Sequence, residues 1–284
     1  MSALKVLLWP LRRLKPGRKP AADPASVAAD FDRTIQQYDA QLPTVRIDSE
    51  GIRIVYCTPN HATKWRVDTL FTKEPDTIQW IAGFGRNDVL IDIGANVGMY
   101  AIWAAATRGT RVYAFEPESQ NFALLNKNIV ANDLGDRVTA YCAALSDQTG
   151  YSLLHLSAFG TGGSCHTYGT DLDHQLRPRA SSYLQGCVST TLDSLISERV
   201  VPVPTHIKID VDGLEHKVLA GCHATLRDPR LKTVLIEINS YLEEHRRLVE
   251  ELTALGFAFS DQQVLAARRT AGAFAGTGNY VFRR

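Results

Sequence analysis

Cysteine is scarce and unpatterned in this 284-residue chain: five residues, at 57, 142, 165, 187 and 222, with no C-x-x-C pair. An odd, scattered set excludes a disulfide framework and a cysteine zinc site. It fits a reducing compartment, with Cys142 and Cys222 as small core residues. Net charge is lacking too. Lys and Arg number 31 against 30 Asp and Glu, so no global basic field points to a nucleic-acid partner. The apolar run Val6 to Trp9 stops at Pro10, far too short to span a bilayer. Most of the basic residues in 1–20 follow that run, and no small-residue cleavage site closes it, which argues against a signal peptide. Two readings of this tail remain, a disordered basic segment or a peripheral contact between a cytoplasmic protein and anionic membrane. Repeats and low-complexity tracts are absent elsewhere.

What is present is concentrated at residues 89–98. Val89, Leu90 and Ile91 read as a buried parallel strand that delivers Asp92, then Gly94 and Gly98, into a tight turn before an Ala-rich helix from Met99 to Thr107. Such a turn brings backbone N–H groups and a helix N-terminus against a nucleotide-type ligand. Asp92 stands where a dinucleotide fingerprint has its first Gly. A carboxylate there repels a pyrophosphate and suits the amine and sulfonium of S-adenosylmethionine (SAM). The second strand, Arg111 to Phe115, ends at Glu116, an acid placed to accept both ribose hydroxyls, as NAD and SAM sites equally require.

At this point the chain resembles the FkbM-type SAM-dependent methyltransferases. The resemblance is carried by Asp92 to Gly98, Ala114 to Pro117, Asn126 to Asn128 and Ala144 to Asp147. Thr191 to Asp193, Ile207 to Gly213 with Glu215, and Val234 to Glu237 continue it. It runs over residues 74–258, with Asp212 where the family more often has Glu. It implies SAM as cofactor, held by Glu74, Asp92, Gly94, Asn96, Gly98, Glu116, Ala144 and Asp147. Glu74 and Thr77 could reach the methionine end of SAM, and helix capping explains them nearly as well.

The predicted order of elements is a helix over 25–42, a hairpin over 44–58, a short helix at 77–84, and then strands and helices in alternation. A helix-poor insertion falls at 151–188, and helices at 190–198, 214–226 and 241–255 alternate with strands at 205–210 and 233–238. Alternation of this kind predicts a doubly wound α/β sheet. After the last helix, 256–260 and 279–283 read as two strands with no crossover helix, so one is antiparallel. The expected fold is a Rossmann-like class I methyltransferase with a mostly parallel, seven-stranded sheet ending in an antiparallel hairpin. Expected boundaries are a tail at 1–20, an extension at 21–84 and the methyltransferase domain at 85–284.

Strand 205–210 ends in Asp210, with Asp212, Glu215 and His216 close behind, and the next strand ends at Glu237 and Asn239. Ligands of open α/β sheets bind outside the carboxyl ends of the strands, so Asp210 faces the crevice of Asp92 and Glu116. Asp210, Glu237 and His216 are the candidate catalytic residues, one of them taking a proton from an acceptor hydroxyl. In a second version Asp210, Glu237 and Asn239 hold a divalent cation such as Mg²⁺; the preferred version needs no metal. The insertion carries Gly160 to Ser164 with His155, His166, Tyr168, His174, Arg177, Arg179 and Tyr183, and is expected to set acceptor specificity. The reading is a SAM-dependent O-methyltransferase acting on a sugar hydroxyl of a glycan or glycoconjugate. The alternatives are an acceptor resembling a polyketide, an NAD-dependent oxidoreductase, and a non-catalytic scaffold of the SAM fold.

Overall fold

The computed structural model describes residues 32–34, 42–49 and 51–284. The tail at 1–20 lies outside the described residues. So does most of the helix expected over 25–42, of which 32–34 are helical. The elements from Pro43 onward belong to one unit. They open with an antiparallel hairpin of β1 (Thr44–Ser49) and β2 (Ile52–Cys57), which buries Ile54 and Tyr56. Next come α1 (His61–Asp68) and α2 (Pro75–Ala82). The first of these was not expected. It buries only Thr63 and Val67, so it has no apolar stripe for periodicity to reveal, and a capping box at Asn60 starts it.

The alternating core follows: β3 (Val89–Ile93), α3 (Met99–Arg108), β4 (Arg111–Phe115), α4 (Ser119–Ala131) and β5 (Val138–Tyr141). Asn128 on α4 and Asn132 at its C-cap accept the N–H groups of Cys57 and Val55 at 2.8 Å each, tying β2 onto the core. The insertion is helix-poor, as its composition suggests, and forms a small second sheet. Its strands are β6 (Ala144–Leu145), β7 (Gly150–Leu156), β8 (Thr167–Tyr168) and β9 (Tyr183–Thr190), in the order β6-β9-β7-β8. Thr191 caps α5 (Leu192–Ser197) by accepting from the Ser194 N–H.

The chain then returns to the core through β10 (His206–Ile209), α6 (Glu215–Ala220), β11 (Thr233–Asn239), α7 (Glu243–Ala254), α8 (Asp261–Ala267) and β12 (Thr277–Arg283). The helix expected over 214–226 is cut at Gly221, where a Cβ would lie 2.1 Å from the Ser146 carbonyl oxygen. The main sheet runs β12-β11-β10-β3-β4-β5, parallel except for β12. It has six strands rather than seven. Residues 256–260 contribute a single antiparallel bridge, Ala258 to Arg283. Ser260 then accepts from the Gln263 N–H and starts α8, so the chain leaves the sheet edge after one pairing.

Strand order runs outward in both directions from the β3/β10 junction, which makes that junction the switch point where a crevice opens at the strand ends. No helix among the described residues is long and apolar enough to cross a membrane.

Candidate active site

Register places the first charges. β3 and β10 align Asp92 beside Lys208, and strand period two puts Asp210 on the same face. The Lys208 ammonium lies 2.9 Å from Asp210 Oδ2, 3.9 Å from Asp92 Oδ1 and 5.5 Å from the Tyr100 ring centroid. Lys208 is 2% exposed and Asp92 1%, so these charges interact with little solvent screening. Burial disfavours the Lys208 cation, but Asp210 and Asp92 outweigh it and raise its pKa. Burial pushes Asp92 up to about 6 against the pull of Lys208. For Asp210 burial also pushes upward, and Lys208 and Lys73 more than reverse it, holding this carboxyl below its ordinary range. The Oδ1 atom of Asp92 is buried and accepts no hydrogen bond.

The turn after β3 wraps against β10. Gly94 has φ +79°, and a Cβ there would meet the Asp210 carbonyl oxygen at 1.8 Å, so only glycine fits. Asn96 donates its backbone N–H to Glu116 Oε2 at 2.8 Å, and the Glu118 N–H reaches Oε1 at 2.9 Å. Burial raises Glu116 to about 7, although these N–H groups pull the other way. Gly98, at φ +86°, begins α3, and a Cβ there would strike Leu125 at 2.4 Å.

Gly94 lines three cavities. One of about 40 Å³ is bounded by Phe115, Pro117, Ala144, Ser146, His166 and Leu214. A second of about 40 Å³ adjoins Asn96, Met99, Tyr100, Lys208 and Asp210. The third, about 110 Å³, holds the acids: Asp210, Asp212 and Glu237, with Trp65, Arg269 and Phe274. Over the turn lies the glycine-rich loop of the insertion. The side chains of Asn96 and Asn121 donate to the Gly163 carbonyl at 2.7 and 3.1 Å, and Arg66 donates twice to that of Gly162.

Around the acids the chain is heavily cross-braced. Arg269 lies 3.3 Å from Glu237 and 3.7 Å from Glu74, whose carboxylate also accepts from Lys73 at 2.5 Å. Burial would raise Glu74, but Lys73 brings its pKa below the usual value. Burial, followed by the charges of Asp210 and Glu215, raises Glu237 well above the ordinary carboxyl range. Asp212 sits at φ +57°, a conformation unusual for a non-glycine residue. Glu215 braces this turn by accepting from Val211 and Gly213 at 2.9 and 3.0 Å. His245 supports it from α7. Its Nδ1 accepts the Asn239 N–H at 3.0 Å, which leaves Nε2–H to donate to the Gly213 carbonyl at 3.2 Å.

Gly94, Asn96 and Ala144 line these cavities together with Asp210 and Glu237, whereas Asp92, Gly98 and Glu116 line none of the three and flank the turn through Lys208, Leu125 and the Asn96 N–H. Glu74 stands between Lys73 and Arg269. Two expected residues fall elsewhere. His216 packs near His245, Glu215 and Glu244 and lines none of these cavities. Asp147 is exposed and accepts from its neighbour Ser146, while Ser146 itself lines the cavity at Gly94. The cation group expected of Asp210, Glu237 and Asn239 is also changed. Asn239 Oδ1 accepts the Tyr241 N–H, and Asp212 takes its place, the three acids offering oxygens within 4.8 Å of one another. Sequence reasoning missed Lys73, Tyr100, Lys208 and Arg269. Of these only Lys208 left a signal, a charge between Ile207 and Ile209 in an apolar strand.

These features define a nucleotide-cofactor site on a Rossmann-like sheet, with acids where a second substrate meets the cofactor. The family described as "Methyltransferase FkbM domain" matches residues 92–259, and the chain belongs to that family of SAM-dependent methyltransferases. The oxidoreductase and scaffold alternatives fall with that assignment. The chain is 29% identical over 217 residues to 31-O-demethyl-FK506 methyltransferase FkbM of Streptomyces tacrolimicus, covering 65% of this chain and 82% of that protein. It is 27% identical over 177 residues to hexuronic acid methyltransferase AglP of Haloferax volcanii, covering 62% of this chain and 66% of that protein. A precorrin-6y C5,15-methyltransferase structure from Geobacter metallireducens overlaps with a TM-score of 0.43 at 15% identity, covering 86% of this chain and 99% of that one. The residues present fit SAM: Asp92 has an unpartnered buried oxygen for an amine, beside the turn that Gly94 lets pack against β10.

Proposed function

We propose that this protein is an O-methyltransferase acting on a sugar hydroxyl of a glycan or glycoconjugate. The observation that carries the reading is a pair of carboxyls with opposite proton affinity around one cavity. Asp210 is held ionised by Lys208, and Glu237 is pushed upward by burial and by that same Asp210. Carboxyls whose environments separate their pKa values divide the roles of acid, base and fixed charge. SAM, when bound, supplies an activated methyl group. Asp92 and Glu116 would hold its amine and ribose ends, beside the turn that Gly94 lets close against β10. Glu237 takes the acceptor hydroxyl's proton, its raised pKa making it the stronger base of the pair. Asp210 remains an anion and orients the hydroxyl. Lys208 and Arg269 already stand beside Asp210 and Glu237, so each of these two carboxyls has a protein cation at hand.

The sugar assignment draws on the relative named as a hexuronic acid methyltransferase. An acceptor like that of the FkbM relative is the second reading. Turnover with a panel of glycosides and SAM tests the first, and absence of methylated sugar across the panel would overturn it. Full activity in chelator supports the side-chain base. Activity lost in chelator and restored by magnesium would assign the three acids to a metal instead.

A further inference from the structure

The largest cavities in this region include one of about 630 Å³ that shares Lys73 and Arg269 with the acid cavity but is otherwise separate from it. Its walls are α2 with the residues just before it, and α8 with the start of β12. Its volume lies within the roughly 300–1,000 Å³ of small-molecule sites, and its apolar lining is limited to small residues, Pro75, Ala266 and Ala267, with no aromatic ring. Thr72, Gln79, Gln262, Gln263 and Asn279 face it, with the carboxyls of Glu74 and Asp76. Gln263 and Asn279 are committed to the fold, Gln263 donating to the Asn279 carbonyl at 2.9 Å and Asn279 to Thr77 Oγ1 at 3.1 Å. The amides of Gln79 and Gln262 make no hydrogen bond among the described residues, and Glu74 Oε2 is buried without a partner.

We infer that this cleft binds the acceptor, and that its ligand is a neutral, hydroxyl-rich sugar chain, a reading that rests on the proposed function. The amides of Gln79 and Gln262 and the open Oε2 of Glu74 set donors and an acceptor side by side, which match the hydroxyl groups of a sugar. Arg269 forms the shared wall. It spans Glu74 and Glu237, so a sugar lying along α2 and α8 has its leading hydroxyl beside the catalytic carboxyls. None of the histidines, tyrosines or arginines of the insertion lines this cleft. The Gly160 to Ser164 loop braces the turn after β3 and reaches the acid cavity only through Ser164. Specificity for the acceptor is therefore assigned to residues 72–79 and 260–279.

The test uses the full chain loaded with S-adenosylhomocysteine and saturation-transfer NMR with methyl glucoside and with glucuronate. Gln79→Trp and Gln262→Trp fill the cleft from exposed positions, and calorimetry with S-adenosylhomocysteine verifies that each variant keeps its cofactor site. The expected result is a methyl glucoside signal in the wild type that both variants lose while cofactor affinity is unchanged. A signal that persists in both variants would overturn the cleft and leave the sugar reading standing. Glucuronate binding without methyl glucoside binding would overturn the neutral-ligand assignment. Neither sugar binding to the loaded wild type would overturn the sugar reading itself.

Discussion

Asp92 and Glu116 are the residues proposed to hold the cofactor, and their surroundings differ. Asp92 is shaped by Lys208, its neighbour across the strands, and Glu116 by the backbone N–H groups of Asn96 and Glu118. Asp92→Ala should abolish measurable SAM binding in calorimetry while leaving the far-UV spectrum unchanged, since the lost oxygen had no hydrogen-bond partner in the protein. Glu116→Ala should weaken SAM by about 1.5–3 kcal/mol, the scale of hydrogen bonds to a charged group. Lys208→Met should instead unfold more readily, by up to about 3–5 kcal/mol in urea titration, because it leaves buried acids without their cation. Wild-type stability in that variant would mean the acids are neutral in the fold. For Glu237→Gln the expected outcome is kinetic. Turnover by the wild type should rise with pH as Glu237 ionises, and the variant should be slow with a flat profile.

At the scale of elements, the turn at 210–213 is the working part. It puts two acids into the crevice at the cost of a left-handed Asp212, and it holds this shape because Glu215 and His245 satisfy its N–H and carbonyl groups. His245→Ala removes the acceptor of the Asn239 N–H and the donor to Gly213 together, leaving both buried groups unpaired. The variant should lose about 1–3 kcal/mol of stability for each, and its turnover should fall with little change in SAM affinity. A loss of SAM affinity equal to the loss of turnover would show that the turn serves the cofactor rather than the acceptor. Legibility in the sequence divides along the same line. Asp210 and Glu237 could be placed from strand ends, whereas His245 is helical and remote in sequence, so no local pattern ties it to the turn.

Over the whole molecule the buried titrating groups oppose one another. At the far end of the sheet Thr233 Oγ1 accepts from Trp80 and meets His206 Nδ1 at 2.7 Å, while His206 Nε2 reaches Asp88 at 3.1 Å. Burial holds His206 neutral, down to about 4, so its contribution to stability is lost as pH falls from about 6.5 through 4. Asp92 and Glu116 are raised to about 6 and 7, so the cofactor-free fold loses stability as pH rises from their unfolded values through 6 and 7. SAM carries positive charge to Asp92 and hydroxyl donors to Glu116, and prefers both ionised. The increase in Tm produced by SAM should therefore be larger at pH 8 than at pH 5.5, and binding near pH 6 should release protons in calorimetry. His206 lies outside the cofactor site and cancels from this difference. An increment that is flat with pH would show that both carboxyls are already ionised without SAM.

The glycine turn, the acids at strand ends and the alternation of strand and helix are local patterns, and they were enough to determine the fold class, the cofactor and the family. Register was not local. Lys208 meets Asp92 because two strands distant in sequence pair in parallel, and Arg269 reaches Glu74 and Glu237 because a loop before β12 folds back over the sheet ends. The expected seventh strand failed because Ser260 caps a helix that sequence periodicity had left as loop. His216 lies beside His245 rather than lining the acid cavity, a placement that depends on how α6 and α7 pack. Identity of the cofactor follows from which residues stand next to one another in the chain. The charges that tune the acids, and the cleft assigned to the acceptor, were decided by packing alone, since their members come from segments that only the folded sheet brings together.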